Sequence, residues 1–138
     1  MAILWRCPKC KRQFQRKGQQ HSCAVYPLAR HFEHKQDVAK PLFDTFMRLF
    51  RARIGPCSVV SLPCCIHLSS QGRDFAAFYA LKDGLRFHIG ADTPIKSKRI
   101  MRVEKTSAHR YMHSLDVHSA RELDAELFRW LKVSYPRP

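Results

Sequence analysis

Apolar residues recur at intervals of three and four positions after Pro41, which is the pattern of an amphipathic helix. Pro41 suits the first helical position because the N–H that proline lacks has no partner there in any case. Gly55 and Pro56 end the pattern. The sequence therefore predicts a helix over residues 41–54 that buries one stripe in a core, formed by Leu42, Phe43, Phe46, Met47, Leu49, Phe50 and Ile54.

The middle of the chain has the shorter, alternating pattern of β-strands. Residues 58–62 and 64–69 form two short runs on either side of Pro63. Asp83 followed by Gly84 is a strong signal for a tight hairpin turn. Links of this length join antiparallel neighbours. Alternation runs through Phe75, Ala77, Tyr79 and Leu81 in the strand before the turn, and Leu85, Phe87 and Ile89 face one way in the strand after it.

The last third of the chain predicts an exposed excursion, one more strand and a second helix. Residues 91–108 are polar and basic, and alternation resumes from Tyr111 to Val117. A capping box from Ser119 to Glu122 opens the helix, whose apolar face is Leu123, Leu127, Phe128, Trp130 and Leu131. The predicted fold class is α+β, with an antiparallel sheet of about four to five strands and two flanking helices.

A CxxC pair followed by an HxC pair lies near the start of the chain. Cys7 and Cys10 place two thiols on one tight turn. His21 and Cys23 are two positions apart, so their side chains point to the same side of an extended segment. Zinc takes four nitrogen and sulfur ligands in a tetrahedron. We therefore predict a Zn²⁺ ion held by these four residues, with His31 as the replacement if that segment is helical.

These ligands divide the chain into three predicted parts. Residues 1–25 form a small N-terminal zinc finger, residues 26–40 connect it, and residues 41–138 form the α+β domain. Four protein ligands leave no position for a water molecule on the ion, so the predicted zinc is structural. No catalytic residue is predicted, because the sequence lacks GxSxG, P-loop, HExxH and GxGxxG motifs.

The net charge of +14 predicts a polyanionic partner, and nucleic acid is the commonest polyanion in a cell. Cations interleaved with aromatic residues suit phosphates and stacked bases. No recognition helix is evident, so we expect weak sequence specificity for DNA or RNA. The predicted contact residues are Arg6, Lys9, Lys11, Arg12, Arg16 and Lys17 in the finger, and Lys96, Lys98, Arg99 and Arg102 in the excursion.

A second hypothesis is a protein-interaction or small-ligand adaptor without catalytic activity. If the strands that carry them are neighbours, a pocket is lined by Tyr79, His88, Tyr111 and His113. The sequence leaves open on which face of the sheet each of these side chains lies. It also leaves open the oligomeric state.

Cysteine use and hydropathy predict a cytoplasmic protein that does not enter a membrane. No apolar stretch is long enough to cross a bilayer, and residues 1–5 are too short an apolar run for a signal peptide. In a reducing compartment six cysteines indicate metal binding or packing rather than disulfides. We expect Cys57, Cys64 and Cys65 to be small buried residues, with Cys64 and Cys65 on opposite faces of a strand.

Several stretches carry a resemblance to known sequences: Trp5 to Cys10 with Arg12 and Phe14, Gln20 to Cys23, His31-Phe32, Leu42 to Asp44, Gly55-Pro56, Phe75-Ala76, and Leu123 to Tyr135. On these, the chain resembles a bacterial family that pairs an N-terminal zinc-finger-like segment with a small α+β domain of unknown function. Similar C-terminal domains look to be attached to longer proteins with nuclease-like parts, which implies a nucleic-acid setting by analogy. Such motifs often have glycine where this chain has Lys11, so we expect mild strain there.

Overall fold

The computed structural model describes residues 3–21, 23 and 26–136. Within these residues the chain forms a two-stranded sheet near the N-terminus and a six-stranded antiparallel sheet with two α-helices. The α+β class is therefore confirmed. The predicted limits at residues 1, 25 and 138 lie outside the described residues, as does Ser22. Among the described helices, none is both long enough and apolar enough to span a membrane.

Short links connect most of the strands. The N-terminal hairpin consists of β1 (Trp5–Arg6) and β2 (Gln13–Phe14). The main sheet consists of β3 (Ser58–Ser61), β4 (Ile66–Ser70), β5 (Arg73–Leu81), β6 (Gly84–Ala91), β7 (Arg102–Ser107) and β8 (Arg110–Val117). Their spatial order is β3-β4-β5-β6-β8-β7. The helices are α1 (Ala39–Arg53) and α2 (Ala125–Ser134), and short 3₁₀ helices lie at Leu28–Phe32 and Ala120–Glu122.

The main sheet has more strands than the predicted four to five, because the excursion over residues 91–108 contains β7. β7 pairs with β8 at the edge of the sheet. All six of its side chains are exposed, so its sequence lacks the apolar alternation that marks a half-buried strand. Basic residues on such an edge oppose pairing with another chain.

α1 buries most of the predicted apolar stripe, namely Leu42, Phe43, Phe46, Met47 and Phe50, together with Ala39. The helix begins at Ala39, before the predicted start at Pro41. Proline is tolerated at this third position because the first four N–H groups of a helix have no partner within it. The helix ends at Arg53, next to the predicted stop at Gly55 and Pro56.

α2 begins after the predicted capping box rather than at it. Ser119 precedes a 3₁₀ helix and its side chain makes no cap. The residue that caps α2 is Asp124, whose carboxylate accepts the N–H of Leu127 at 3.1 Å. Arg99, which precedes β7, donates to both carboxylate oxygens of Asp124. The start of α2 is therefore held by an ion pair as well as by a cap.

Both helices pack against one face of the main sheet, and the core lies between them and the sheet. The ring of Phe46 in α1 has its centroid 5.1 Å from those of Phe78 and Phe87 and 5.7 Å from that of Phe128. Because side chains alternate along a strand, the intervening residues point away from the helices. We call this second surface the open face; it carries Val60, His67, Asp74, Tyr79, Arg86, His88, Met112 and Ser114.

The N-terminal finger rests on the turn between β4 and β5. The side chain of Gln15 donates to the carbonyl of Gln71 at 3.3 Å. A Cβ atom at Gly72 would lie 3.0 Å from the backbone nitrogen of Gln15, so glycine permits this close approach. In the predicted connector, Leu28 and Phe32 pack against the core. The segment between finger and domain is therefore itself packed on the domain.

Candidate metal centre and open face

The β1–β2 hairpin places the first two candidate ligands on a compact turn. The N–H of Cys7 donates to the carbonyl of Arg12, and the N–H of Lys11 donates to the carbonyl of Cys7, both at 2.9 Å. These two bonds close the turn between the strands. As a result, the thiol of Cys10 reaches the same site as the thiol of Cys7.

Four candidate ligand atoms, one from each of Cys7, Cys10, His21 and Cys23, lie within 4.8 Å of one another. Sγ of Cys7 is 3.7 Å from Sγ of Cys23. Nε2 of His21 is 3.4 Å from Sγ of Cys10 and 3.3 Å from Sγ of Cys23. Two sulfur atoms bound to one tetrahedral zinc ion lie about 3.8 Å apart. The four side chains are therefore positioned to hold a metal ion.

His21 is oriented by its immediate surroundings. Its Nδ1–H donates to the carbonyl of Gln19 at 2.6 Å, which leaves Nε2 facing the thiols. The same bond is the main cause that raises the pKa of His21. The centroid of the Phe14 ring lies 4.1 Å from that of His21, and the Trp5 ring lies 6.0 Å from Phe14. Phe14 thus packs beside the cluster.

The thiols of Cys7 and Cys23 differ in how easily they ionise. The backbone N–H of Cys10 is the main cause that lowers the pKa of Cys7 to about 6. Burial is the main cause that raises the pKa of Cys23 to about 11. A divalent cation between the thiols favours the thiolate form of each. Three thiols and one imidazole are a donor set that suits Zn²⁺, and together they close its coordination shell.

His31, the predicted replacement ligand, lies outside this cluster. Its Nε2 is 3.0 Å from the hydroxyl of Ser61, and its ring is 5.0 Å from that of Tyr26. The side chains of His21 and Cys23 lie instead beside the thiols of Cys7 and Cys10. Of the two predicted ligand sets, the structure therefore supports the one that contains both His21 and Cys23.

Lys11 adopts a left-handed backbone conformation with φ of 66°, at the place where related motifs often have glycine. A side chain there is strained by about 1 kcal/mol or more, and a β-branched one by more still. We expect Lys11→Val to weaken zinc binding about tenfold relative to Lys11→Gly, a cost of about 1.4 kcal/mol. Competition with a chromophoric chelator measures both affinities. Both variants lose the same charge, so equal affinities would show that the turn is not strained.

Eight of the ten predicted nucleic-acid-binding residues are exposed. Within residues 3–21, 23 and 26–136, the side chains of six of these eight form neither an ion pair nor a hydrogen bond: Lys9, Lys11, Arg16, Lys17, Lys96 and Lys98. Four of them belong to the finger and two to the segment before β7. An exposed cation without an acidic neighbour retains its full attraction for an outside anion. These charges are therefore available to a polyanion.

The other four predicted contact residues are arginines that contact groups within the protein. Arg99 is the most engaged, because it pairs with Asp124 at 2.9 Å and Glu126 at 3.2 Å. Its role at the start of α2 is thus structural. Arg6 donates to the carbonyl of Lys11, Arg12 lies over the ring of Phe14, and Arg102 pairs with Glu104.

The structure divides the four predicted pocket residues between the two faces of the sheet. Tyr79 and His88 lie on the open face with ring centroids 4.9 Å apart. His113 is fully buried on the face that meets the helices. Tyr111 precedes His113 by two positions on β8 and therefore shares its side. The four side chains do not line one pocket, because strand alternation separates the two pairs.

Burial of His113 is compensated by two backbone partners. Its Nε2 accepts the N–H of Ile95 at 2.8 Å, and its Nδ1–H donates to the carbonyl of Ile89 at 3.1 Å. These bonds tie the segment after β6 to the sheet. The role of His113 is therefore structural, because it holds the segment after β6 against the sheet.

On the open face, Tyr79 and His88 border a groove of about 670 Å³ that also touches Met101, Met112 and Arg86. Burial is the main cause that lowers the pKa of His88, with the charge of Arg86 adding to it. The imidazole is therefore favoured as a neutral, flat ring. Arg86 itself is held by Asp116, at 2.7 Å. The groove combines flat rings, thioethers and a fixed cation.

Two arginines near this face were missed by the reasoning from sequence. The guanidinium of Arg110 lies over Gly90, where a Cβ atom would come within 2.5 Å of it. Arg110 and Arg73 line one shallow cavity with Asp92. For Arg110 the sequence did contain a signal, because Arg110 is two positions before Met112 and alternation places Arg110 and Met112 on the same face of the sheet.

No family model, curated protein or solved structure matches the chain. The fold and the site define the class: an α+β domain with a Cys₃His cluster positioned for a metal ion.

Proposed function

We propose that this chain is a nucleic-acid-binding protein of weak sequence specificity in which zinc has a structural role. The observation that carries the proposal is the pairing of a basic finger with an open sheet face that bears a Tyr79–His88 ring pair. Antiparallel sheets with such a face bind single strands by stacking bases on their rings. The proposal therefore favours unpaired nucleotides as the ligand.

The cations supply the affinity in this proposal. Lys9, Arg16 and Lys17 are exposed on the finger, which adjoins the open face through the turn at Gly72. Arg6, Lys11 and Arg12 line a small cavity with Val60 of that face, together with Ser58, Ser69 and Gly72. Phosphates held by these groups release counterions, so binding weakens as salt rises.

Zinc supports binding indirectly. The turn from Cys7 to Cys10 fixes the backbone that carries Lys9 and Lys11. The four side chains of the cluster would occupy all four positions of a tetrahedral ion, so no reaction is assigned to the metal. When bound, the ion supplies a crosslink between the hairpin and the segment at residues 21–23. The chain's own residues then hold the cations in place beside the sheet.

The test is fluorescence anisotropy with labelled single- and double-stranded DNA and RNA, using zinc-loaded protein across a range of salt. Six phosphate contacts to a single strand predict a slope near −4, hence a loss of about 10²-fold between roughly 50 and 200 mM salt. A variant with Lys9, Arg16 and Lys17 changed to alanine should reduce the slope by about 2.

The matched control removes three exposed cations from the helices, on the opposite side of the sheet: Arg48, Arg129 and Lys132. It loses the same net charge and should retain most of the affinity and the slope. If it weakens binding as much as the finger variant does, the charge acts without a defined surface and the proposal is wrong. Tyr79→Ala should weaken binding by about 1–3 kcal/mol with an unchanged slope, whereas Tyr79→Phe should not.

A second function is favoured by the groove on the open face, whose thioethers and rings suit a small apolar ligand or a protein segment. In that case the chain is an adaptor without catalytic activity. Thermal stabilisation by metabolites or by a protein partner, and not by nucleic acid, would favour it. Membership of the bacterial family that the chain resembles, and a cytoplasmic location, stay predictions.

A further inference from the structure

Two adjacent cysteines just before β4 lie against a histidine and a carboxylate, and none of these four side chains belongs to the candidate metal cluster. Sγ of Cys64 is 3.0 Å from Sγ of Cys65. Sγ of Cys65 is 3.1 Å from Nε2 of His67, and Nδ1 of His67 is 2.8 Å from a carboxylate oxygen of Asp74. Contacts between these four side chains thus run without a gap from the exposed thiol of Cys64 to the carboxylate of Asp74.

This arrangement corrects the expectation that Cys64 and Cys65 occupy opposite faces of a strand. The two residues precede β4 and belong to a tight turn, where the N–H of Leu62 donates to the carbonyl of Cys65 at 2.9 Å. Alternation of side chains applies only within an extended strand. The turn instead directs both sulfur atoms toward each other, while Cys64 is exposed and Cys65 is buried.

The surroundings give the two thiols different properties. Burial is the main cause that raises the pKa of Cys65 to about 12, so this thiol keeps its proton until a base removes it. His67 donates its Nδ1–H to Asp74, which leaves Nε2 free to accept that proton. Although burial opposes it, the hydrogen bond from His67 lowers the pKa of Asp74. Cys64, in contrast, is open to solvent and to small reagents.

We propose that Cys64 and Cys65 form a reversible thiol switch that hydroperoxides close to a disulfide, with His67 as the base and Asp74 as a positioning residue. Cys64 first releases its thiol proton to solvent, and its thiolate attacks one peroxide oxygen. The O–O bond breaks, which leaves a sulfenic acid on Cys64, and the leaving oxygen takes up a proton from solvent to form an alcohol, or water from hydrogen peroxide. Nε2 of His67 then takes the proton of Cys65. The sulfur of Cys65 attacks the sulfur of Cys64, the S–O bond breaks, and hydroxide leaves with that proton as water.

The electrons balance in these steps, because the two thiols together lose two electrons to one peroxide. The resulting bond is readily reversed. Adjacent Cα atoms lie about 3.8 Å apart, closer than the roughly 4.4–6.8 Å that an unstrained disulfide prefers. Strained and exposed disulfides are the labile ones, which dithiols reduce easily. The site therefore suits a regulatory role better than a structural one.

The test treats the full, zinc-loaded chain with hydrogen peroxide, alkylates the remaining thiols and digests with trypsin. One tryptic peptide, residues 54–73, contains Cys57, Cys64 and Cys65. We expect this peptide to lose two hydrogen atoms with Cys57 still alkylated, and dithiothreitol to reverse the change. In Cys65→Ser, and in Cys65→Ala as a second variant without a buried hydroxyl, dimedone should trap a sulfenic acid at Cys64.

Variants of His67 and Asp74 separate a chemical role of these residues from a structural one. His67→Gln should slow closure of the disulfide by about 10²-fold while the first oxidation of Cys64 keeps its rate, so trapped sulfenic acid accumulates. Asp74→Asn should act in the same direction and more weakly. Cys57→Ser is the matched control and should behave as the unaltered protein does.

Three outcomes would overturn the proposal. One is a bond between Cys57 and Cys64 in the peptide, and another is a disulfide-linked dimer on a non-reducing gel. The third is equal trapping of sulfenic acid in the unaltered protein and in the Cys65 variants, since closure would then be absent. Circular dichroism on each variant ensures that the chemistry is compared between folded proteins.

Discussion

Cys10→Ser is expected to reduce bound zinc from one ion per chain toward none. Cys10 provides one of four atoms in a closed cluster, and its Sγ lies 3.4 Å from Nε2 of His21. A serine hydroxyl is a much poorer zinc ligand than a thiolate, and structural zinc sites in finger peptides contribute about 10–16 kcal/mol of apparent binding free energy. Metal analysis after gel filtration gives the ratio directly.

Cys57→Ser is the control for this experiment, because Cys57 is a half-buried thiol outside the cluster. It should bind zinc as the unaltered chain does. His31→Ala should also keep its zinc, since His31 contacts Ser61 rather than the thiols. Full zinc retention in Cys10→Ser, or zinc loss in His31→Ala, would mean that the ligand assignment is wrong.

Removal of zinc with a chelator should unfold the finger and leave the α+β domain folded. The core cluster that joins the helices to the main sheet contains no residue from the described part of the finger, residues 3–21 and 23. The domain that follows should therefore keep its helix and sheet signals in circular dichroism. The amides of the β1–β2 hairpin should lose their protection from hydrogen exchange, because so small a segment has almost no core besides Phe14.

The metal centre and both helices were predictable because their signals are local. A CxxC pair needs only a tight turn, and an HxC pair needs only an extended segment, so spacing favoured Cys7, Cys10, His21 and Cys23 and left His31 as a replacement. The stripe around Phe46 was equally clear, since one helix face repeats within a few residues. In each case the deciding contact lies close along the chain.

Features that depend on distant partners were not predictable in this way. β7 is exposed on both faces and exists because β8 offers it a hydrogen-bonding edge. His113 is buried because Ile95 and Ile89, more than twenty positions away in one case, satisfy its ring. The pairing of Cys64 with Cys65 required a turn that no periodicity marks. Tertiary context decided the first two, and a local turn without a periodic signal decided the third.

Phe46→Ala should destabilise the domain by about 3–5 kcal/mol, the range for loss of a fully buried aromatic side chain. Phe46 has no exposed surface and its ring contacts Phe50, Phe78, Phe87 and Phe128. Urea unfolding followed by fluorescence and circular dichroism measures the free energy of unfolding. Phe46→Leu is the control and should cost less, because it leaves a smaller cavity. A cost below about 1 kcal/mol for alanine would contradict this packing.

Phe46→Ala also tests whether the finger and the domain fold independently. The variant should still bind zinc under native conditions, because the described part of the finger, residues 3–21 and 23, contributes no residue to the core cluster. Sites this separate usually add within about 0.5 kcal/mol. The free energy of unfolding is measured for each change alone and for both together. If the combined loss differs from the sum of the two separate losses, the finger supports the sheet through the turn at Gln71 and Gly72. Additive effects would leave the finger as a separately folded carrier of the basic surface.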